Sequence, residues 1–334
     1  MEAQHYSIEK DLKVLCSLCP HSCRLRDGQS GICRVRTNSG GLLKSDNYGK
    51  LCSLHLDPIE KKPLYHFYPG RNIFSVGSVG CNLHCRFCQN WEISQTSVND
   101  YPYLRDYSPQ QVVDLALAES GNMGLAYTYN EPTVWFEFMK DIATMAADTH
   151  LKNVMVTNGF INQEPLNELL PIIDAFSVDL KAFTDSFYRQ LTSSRLEPVL
   201  EALKSIRRSG RHLEITNLLI PGENDDENDF RAMMHWISDE LGPDTILHIS
   251  RFFPTYKLMT ESTPETLLFR YYGIAREYIP YVYLGNVHAV MGRDTLCPQC
   301  GHLLVKRSGY HTSVKGLDKD GRCSKCGEVI PLSI

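Results

Sequence analysis

Between Asn72 and about His288 the chain alternates short β-branched or apolar runs with longer stretches of helical periodicity. That alternation is the mark of repeated βα units around a parallel sheet, whose strands are buried on both faces and so read as nearly continuous apolar runs. Six runs are expected as strands: Ile73–Val79, Leu125–Tyr129, Asn153–Thr157, Ala175–Val178, Leu213–Ile220 and Ile246–Ile249. Helices are expected between them. The clearest start is Ser108-Pro109, a cap residue followed by proline at the first helical position, ahead of Val112, Val113, Leu115 and Leu117 and ended by Gly121. Similar cues place helices at Trp135–Met145, Leu166–Leu170, Val199–Ile206, Phe230–Ile237 and Leu267–Tyr278. Six such units predict an α/β fold, a partial (β/α)6 TIM-like barrel.

The flanks differ in pattern. Residues 1–70 carry little helical periodicity and several turn signals, Asp27-Gly28, Ser39-Gly40-Gly41 and Pro69-Gly70, and are expected to form a Cys-rich amino-terminal module. The barrel is expected over 71–290, and 291–334, rich in glycine, cysteine and polar residues, as a zinc-ribbon-like module. The composition is that of an ordinary globular protein, and a formal net charge of -5 gives no bulk reason to expect nucleic-acid binding. The first residues lack a basic region or apolar run, and no later stretch is apolar enough to span a bilayer. A cytoplasmic protein without membrane partners is expected.

The 12 cysteines change the picture. In so long a chain with no export signal they read as metal ligands rather than a disulfide framework, and all but Cys52 fall into three clusters. The central one, Gly80-Cys81-Asn82-Leu83-His84-Cys85-Arg86-Phe87-Cys88-Gln89-Asn90, directly follows the first predicted strand. A barrel's functional loops leave the carboxyl ends of its strands, so this loop belongs at the mouth. Three thiolates can ligate three irons of a cubane and leave the fourth iron open. The bland alternative is a zinc knuckle or buried thiols, for which only His84 offers a nearby fourth ligand. Cys52 is expected as a buried small hydrophobe.

Cys297-Pro298-Gln299-Cys300-Gly301 and Cys323-Ser324-Lys325-Cys326-Gly327 are paired knuckles that would close a four-thiolate zinc site, with rubredoxin-like iron as the runner-up. Cys16, Cys19, Cys23 and Cys33, with His21 nearby, suit either structural zinc or a second iron–sulfur cluster; spacing does not choose, and zinc is preferred.

The C-x3-C-x2-C loop with Phe87 before its last cysteine resembles that of the radical S-adenosylmethionine (SAM) superfamily. The barrel resembles the pyruvate formate-lyase activating enzyme branch. Asp57-Pro58-Ile59-Glu60-Lys61-Lys62-Pro63-Leu64-Tyr65-His66-Phe67, Cys88-Gln89-Asn90-Trp91 and Tyr129-Asn130-Glu131-Pro132 resemble the AmmeMemoRadiSam proteins. The resemblance implies a [4Fe–4S] cluster on Cys81, Cys85 and Cys88 that reductively cleaves SAM to a 5′-deoxyadenosyl radical. It implies cofactor contacts from Asn90, from Glu131 at the family's Gly-Gly-Glu position, from Thr157-Asn158-Gly159, from Asp179 and Lys181 of an Asp-Leu-Lys segment, and from Glu214. At the sixth strand the family's histidine position holds Phe253, so Arg251 is expected to meet a carboxylate or the adenosyl group, and His248 to make a local hydrogen bond. A flavodoxin- or ferredoxin-type reductant and AMMECR-type and Memo-type companions are implied partners. Three functions compete: radical modification of a protein or peptide, radical modification of a small metabolite, and a zinc-dependent scaffold without turnover.

Overall fold

The computed structural model describes residues 1–334. All six predicted strands are present in one sheet: β2 (Asn72–Gly77), β3 (Asn122–Tyr127), β4 (Lys152–Thr157), β5 (Ala175–Asp179), β6 (His212–Leu219) and β7 (Ile246–Arg251). Each pairs in parallel with its neighbour in chain order. The sheet gains a strand at each edge. Tyr281–Gly285 (β8) adds in parallel to β7, and Ser53–Pro58 (β1), from the stretch assigned to the amino-terminal module, adds antiparallel to β2. The two edge strands do not pair with each other, so the barrel stays open. Pro58 ends an edge strand, where its missing N–H disturbs no interior ladder.

Six helices return the chain between the parallel strands: α1 (Pro109–Ala118), α2 (Phe136–Ala147), α3 (Gln163–Leu169), α4 (Glu197–Arg208), α5 (Glu227–Trp236) and α6 (Glu265–Arg276). The start of α1 is a reciprocal capping box. Ser108 Oγ accepts from the Gln111 N–H and Gln111 Oε1 accepts from the Ser108 N–H, a cap whose loss costs about 1 kcal/mol. On α4 the apolar positions Val199, Ala202, Leu203 and Ile206 recur at helical spacing and are buried against the sheet.

The end of the barrel opposite its mouth is sealed. Ile59, Leu64 and Phe67 pack on Ile73, Ala126, Val154 and Ala175 of β2 to β5. Beside them Glu214 accepts four hydrogen bonds, from the backbone N–H groups of Tyr65 (2.9 Å) and His66 (2.7 Å) and from Nε2 of His212 (2.9 Å) and His248 (2.6 Å). The carboxyl-terminal module closes over this end. Its three-stranded antiparallel sheet, Thr295–Leu296, Leu303–Ser308 and His311–Val314, packs Leu304 and Val305 against Ile246, Tyr281 and Tyr283. Buried Arg307 donates to Tyr65 O at 2.7 Å and stacks over the Tyr65 ring at 4.2 Å.

The amino-terminal module packs near the mouth instead. Buried Arg36 donates through Nη1 to both carboxylate oxygens of Glu137 on α2, at 2.9 and 3.1 Å. A Cβ at Gly80, which has φ +90°, would lie 2.8 Å from both Cys33 O and the Val35 methyls, so only glycine lets the module approach the central loop. No helix is long and apolar enough to cross a membrane.

Candidate active site at the barrel mouth

The loop Gly80–Asn90 leaves the carboxyl end of β2. Cys85 is buried, and Cys81 and Cys88 are half-buried. Cys81 Sγ accepts from the Leu83 N–H at 3.3 Å and from Asn158 Nδ2 at 3.8 Å. Two N–H donors aimed at one sulfur are the surroundings of a sulfur that carries negative charge. Asn82 is clamped between Asn158, which donates to its Oδ1 at 2.9 Å, and Phe160, whose carbonyl accepts from its Nδ2 at 2.7 Å. Further along, the His84 N–H donates to Thr192 O and the Arg86 N–H to Leu191 O.

Asn130 pins the start of the loop. Its Oδ1 accepts from the Ser78 N–H at 3.1 Å and its Nδ2 donates to Gly80 O at 2.9 Å. Tyr129 before it has φ +72° and donates its hydroxyl to Asp57 at 2.5 Å. Against the effect of burial, Lys61, Lys62 and Tyr129 hold the Asp57 carboxyl below its ordinary range. Asp57 of the edge strand thereby fastens the Tyr129 side chain.

At the carboxyl end of β5, Asp179 and Lys181 pair at 2.8 Å. Burial would push the Lys181 ammonium down, but Asp179 and the neighbouring Cys85 hold it up, and its Nζ lies 5.8 Å from the Phe87 ring centre. Burial pushes the Cys85 thiol up to about 12 and the Cys81 thiol well above its ordinary value. Bare thiolates are thus disfavoured in the loop, and bound cations are what would keep these sulfurs deprotonated.

The model for the Radical SAM superfamily matches residues 75–237. The chain is also 43% identical over 334 residues to the uncharacterized protein MJ0808 of Methanocaldococcus jannaschii, with 99% of each chain covered. The chain belongs to the radical SAM superfamily. It is 22% identical over 162 residues to the pyruvate formate-lyase 1-activating enzyme of Escherichia coli K12, a match that covers 48% of this chain and 66% of that one. Among solved structures, Streptococcus suis SuiB bound to S-adenosylmethionine has a TM-score of 0.52 at 14% identity, over 69% of this chain and 53% of that one, a likeness of fold.

A radical SAM enzyme needs three cysteine ligands and an open iron, and the donor set at the mouth fits that need. The other candidate ligands have protein partners: the His84 ring is bonded to Ile32 O at 3.1 Å, Glu131 accepts from Thr133 and Asn158, and Asp179 is paired with Lys181. Glu131 is already bonded in the fold. Its Oε1 accepts from the Thr133 N–H, Thr133 Oγ1 and Thr157 Oγ1, and its Oε2 from the Asn158 N–H, so it ties the ends of β3 and β4 together. Thr157 and Asn158 face the loop through this network, and Gly159 donates its N–H to Thr157 Oγ1. Glu214, expected at the cofactor, lies in the sealed end instead. Arg251 meets a carboxylate, that of Glu265 at 3.1 Å, while its Nε donates to Thr263 O. His248 makes the local hydrogen bond expected of it, to Glu214. Asn90 donates to Tyr129 O at 2.7 Å.

Tyr129 explains a departure from the family pattern. Its left-handed backbone is the conformation that glycine adopts without strain, so the turn is kept although the glycine is not. Cys52 is half-buried and donates its thiol to Ser78 O at 2.9 Å, and burial pushes it up to about 11, which makes it a poor nucleophile. At the carboxyl-terminal knuckles the sulfurs of Cys297, Cys300, Cys323 and Cys326 lie within 4.8 Å of one another, a metal-binding arrangement. Sequence reasoning gave no role to Asn82 and Asn130, because their partners lie on other strands; only their place inside the motifs singled them out.

Proposed function

We propose that Cys81, Cys85 and Cys88 hold a [4Fe–4S] cluster with one open iron, and that the chain uses it to modify a protein or peptide. The observation that carries this is three thiols on the loop leaving β2, with the nearby histidine and carboxylate already engaged elsewhere. When bound, such a cluster supplies the electron that cleaves SAM to methionine and a 5′-deoxyadenosyl radical, which abstracts hydrogen from a C–H bond. The protein's part is to hold, orient and exclude water.

Asn158 and the Leu83 N–H would donate to the Cys81 sulfur, and the Lys181 ammonium would lie beside the Cys85 sulfur and offset its charge. Asp179, with 38% of its side chain exposed, offers the mouth an accessible carboxylate for the amino group or ribose of SAM. Asn90 and Thr157 complete the lining.

A macromolecular substrate is favoured by the rim. Exposed Trp91 stacks on Tyr256, with ring centres 5.2 Å apart and planes 9° from parallel, and Phe253 and Met259 are exposed on the same segment as Tyr256. That segment is fastened to the cysteine loop by the Lys257 N–H, which donates to Arg86 O. An exposed aromatic and methionine rim beside a reactive site suits an apolar peptide surface. A cytoplasmic reductant of flavodoxin or ferredoxin type would supply the electron, and AMMECR-type and Memo-type proteins are the companions to try first as substrates.

The carboxyl-terminal cysteines are assigned to one structural zinc. Zn–S bonds of about 2.3 Å put tetrahedral sulfurs about 3.8 Å apart, and Cys297–Cys326 and Cys300–Cys323 stand at 3.5 and 3.7 Å.

The test is the first half-reaction. Anaerobically reconstituted, reduced protein is expected to convert SAM to 5′-deoxyadenosine, and Cys85→Ala to lose that conversion. Equal turnover by the two proteins rejects the assignment.

A further inference from the structure

The amino-terminal cysteines suit zinc, the preferred reading of the sequence, or a second iron–sulfur cluster, and their geometry bears on the choice. Cys16, Cys19, Cys23 and Cys33 all line a single pocket, with Leu18, Leu25, Ile32 and Val134 supplying apolar walls. They surround this space rather than collapse onto one point. The carboxyl-terminal set is the internal standard: its four sulfurs gather within 4.8 Å, as one zinc ion requires, and the amino-terminal sulfurs form no such group. Gly31 lies between two of them, where a Cβ would stand 3.6 Å from Cys23 Sγ and 3.7 Å from Cys33 Sγ.

A second observation is independent of the cysteines. Arg36 lines the same pocket and is only 2% exposed. Its Nη1 is used by Glu137 and its Nη2 by Gln4 O, but its Nε is a buried donor with no partner. A buried guanidinium N–H is costly to leave unsatisfied unless something accepts from it. A single zinc ion held by four thiolates gives no acceptor beyond those sulfurs, whereas a cluster adds inorganic sulfides to the same space.

We propose that Cys16, Cys19, Cys23 and Cys33 hold a second [4Fe–4S] cluster, closed by four thiolates and accepting a hydrogen bond from Arg36 Nε. With no open iron it is an electron-holding site rather than a SAM site. It sits directly behind the central loop: His21 Nε2 is 2.7 Å from Asn82 O, His84 Nε2 is 3.1 Å from Ile32 O, and Cys33 O abuts Gly80.

The experiment uses the full chain, purified without oxygen, with iron, acid-labile sulfide and zinc counted per chain. The Cys81→Ala, Cys85→Ala, Cys88→Ala triple variant is expected to keep roughly four irons and four sulfides beside one zinc, and to give a paramagnetic signal on reduction. Two zincs without sulfide, or iron without sulfide, would overturn the proposal. The unmodified protein gives a second reading that needs no variant, since roughly eight irons and eight sulfides are expected against four of each with two zincs if the amino-terminal site is a zinc site. In Arg36→Lys, the midpoint potential of this cluster should fall and that of the other stay fixed; an unmoved potential removes Arg36 from the site.

Discussion

Replacing Glu214 by glutamine separates a structural role from a cofactor role at a residue that the sequence alone places in the site. In the fold, each oxygen of Glu214 serves one backbone N–H and one imidazole: Oε1 takes His66 N–H and His212, and Oε2 takes Tyr65 N–H and His248. A glutamine keeps one acceptor oxygen and turns the other into a donor. His212 or His248 can change tautomer and accept from the new NH2 group, but a backbone N–H cannot. One of Tyr65 and His66 is therefore left facing a donor inside a site where Glu214 is fully buried. An unsatisfied buried donor costs about 1–3 kcal/mol, and weakening the charge-assisted bonds adds to it, for a total of about 3 kcal/mol. At roughly 2 °C per kcal/mol for a chain this long, Tm should fall by about 6 °C. Thermal unfolding of Glu214→Gln beside the unmodified protein reads the first effect, and SAM binding below the transition reads the second. Unchanged Tm with SAM affinity weakened tenfold would refute the structural assignment and return Glu214 to the cofactor.

Three other outcomes follow from the same geometry. Gly80→Ala forces a left-handed alanine, costing about 1–2 kcal/mol, and drives a methyl into Cys33 O and Val35; iron bound per chain should fall at the central loop while the far-ultraviolet spectrum persists, and full iron content with unchanged Tm would contradict the contact. Burial pushes the fully enclosed His66 down from 6.5 to about 3, so the unfolded chain binds the extra proton. Its share of stability is then complete above pH 6.5 and is lost as pH falls toward 3, about 2 kcal/mol of it by pH 5; urea titrations at pH 7 and 5 should show a smaller loss in His66→Asn than in the unmodified protein, and equal losses would be inconsistent with this. Cys323→Ser should remove one zinc and lower Tm, because Arg307 hangs on the module that the ion closes; zinc analysis and melting together check it, and loss of zinc without loss of Tm would detach the module from the stability of the barrel.

How far the fold was legible varies by element, for physical reasons. Asn153–Thr157 and Ala175–Val178 were readable as strands because central parallel strands are buried on both faces and stay apolar throughout. Ser53–Pro58 was not, since an antiparallel edge strand carries polar and half-exposed residues and can end in proline. Tyr281–Gly285 was hidden behind Pro280 and the helical pattern before it, and its two inward tyrosines gain meaning only from His66, which neighbours both rings. The central loop was legible because its chemistry is local, three thiols within eight residues. The partners of Glu131, Glu214 and Arg251 were not legible, for the opposite reason. Each is a charged group at or near a strand end, and what distinguishes a ligand from a fastening is the set of donors brought up by other elements, at separations of up to 149 residues for Glu214. A visible signal existed for Glu214: His212 and Glu214 alternate on β6, and His248 sits two residues beyond the partner of Glu214 on β7, so all three share one face.

The two ends of the barrel bury different chemistry, carboxylate and imidazole at one and thiols at the other. At the sealed end Glu214 is saturated by four donors, and Arg307 is spread over Tyr65 O, Thr295 and two aromatic rings, with its Nε left unpaired. Burial makes that network costly to disturb. At the mouth the demand comes from sulfur. The cysteine sulfurs are enclosed in surroundings that disfavour thiolates, Lys181 lies beside one of them, and the Arg36 Nε behind them lacks an acceptor. Burial costs of this kind persist in a folded chain when a bound group offsets them. The unmatched groups lie on both sides of Gly80, the position where the two cysteine sets meet. If both cysteine sets hold the proposed groups, the mouth would gain stability from them, whereas the Glu214 network forms from protein groups alone. On this physical ground, stripping iron should loosen residues 16–36 and 80–90 together and leave Tyr65, His66 and Glu214 protected from exchange.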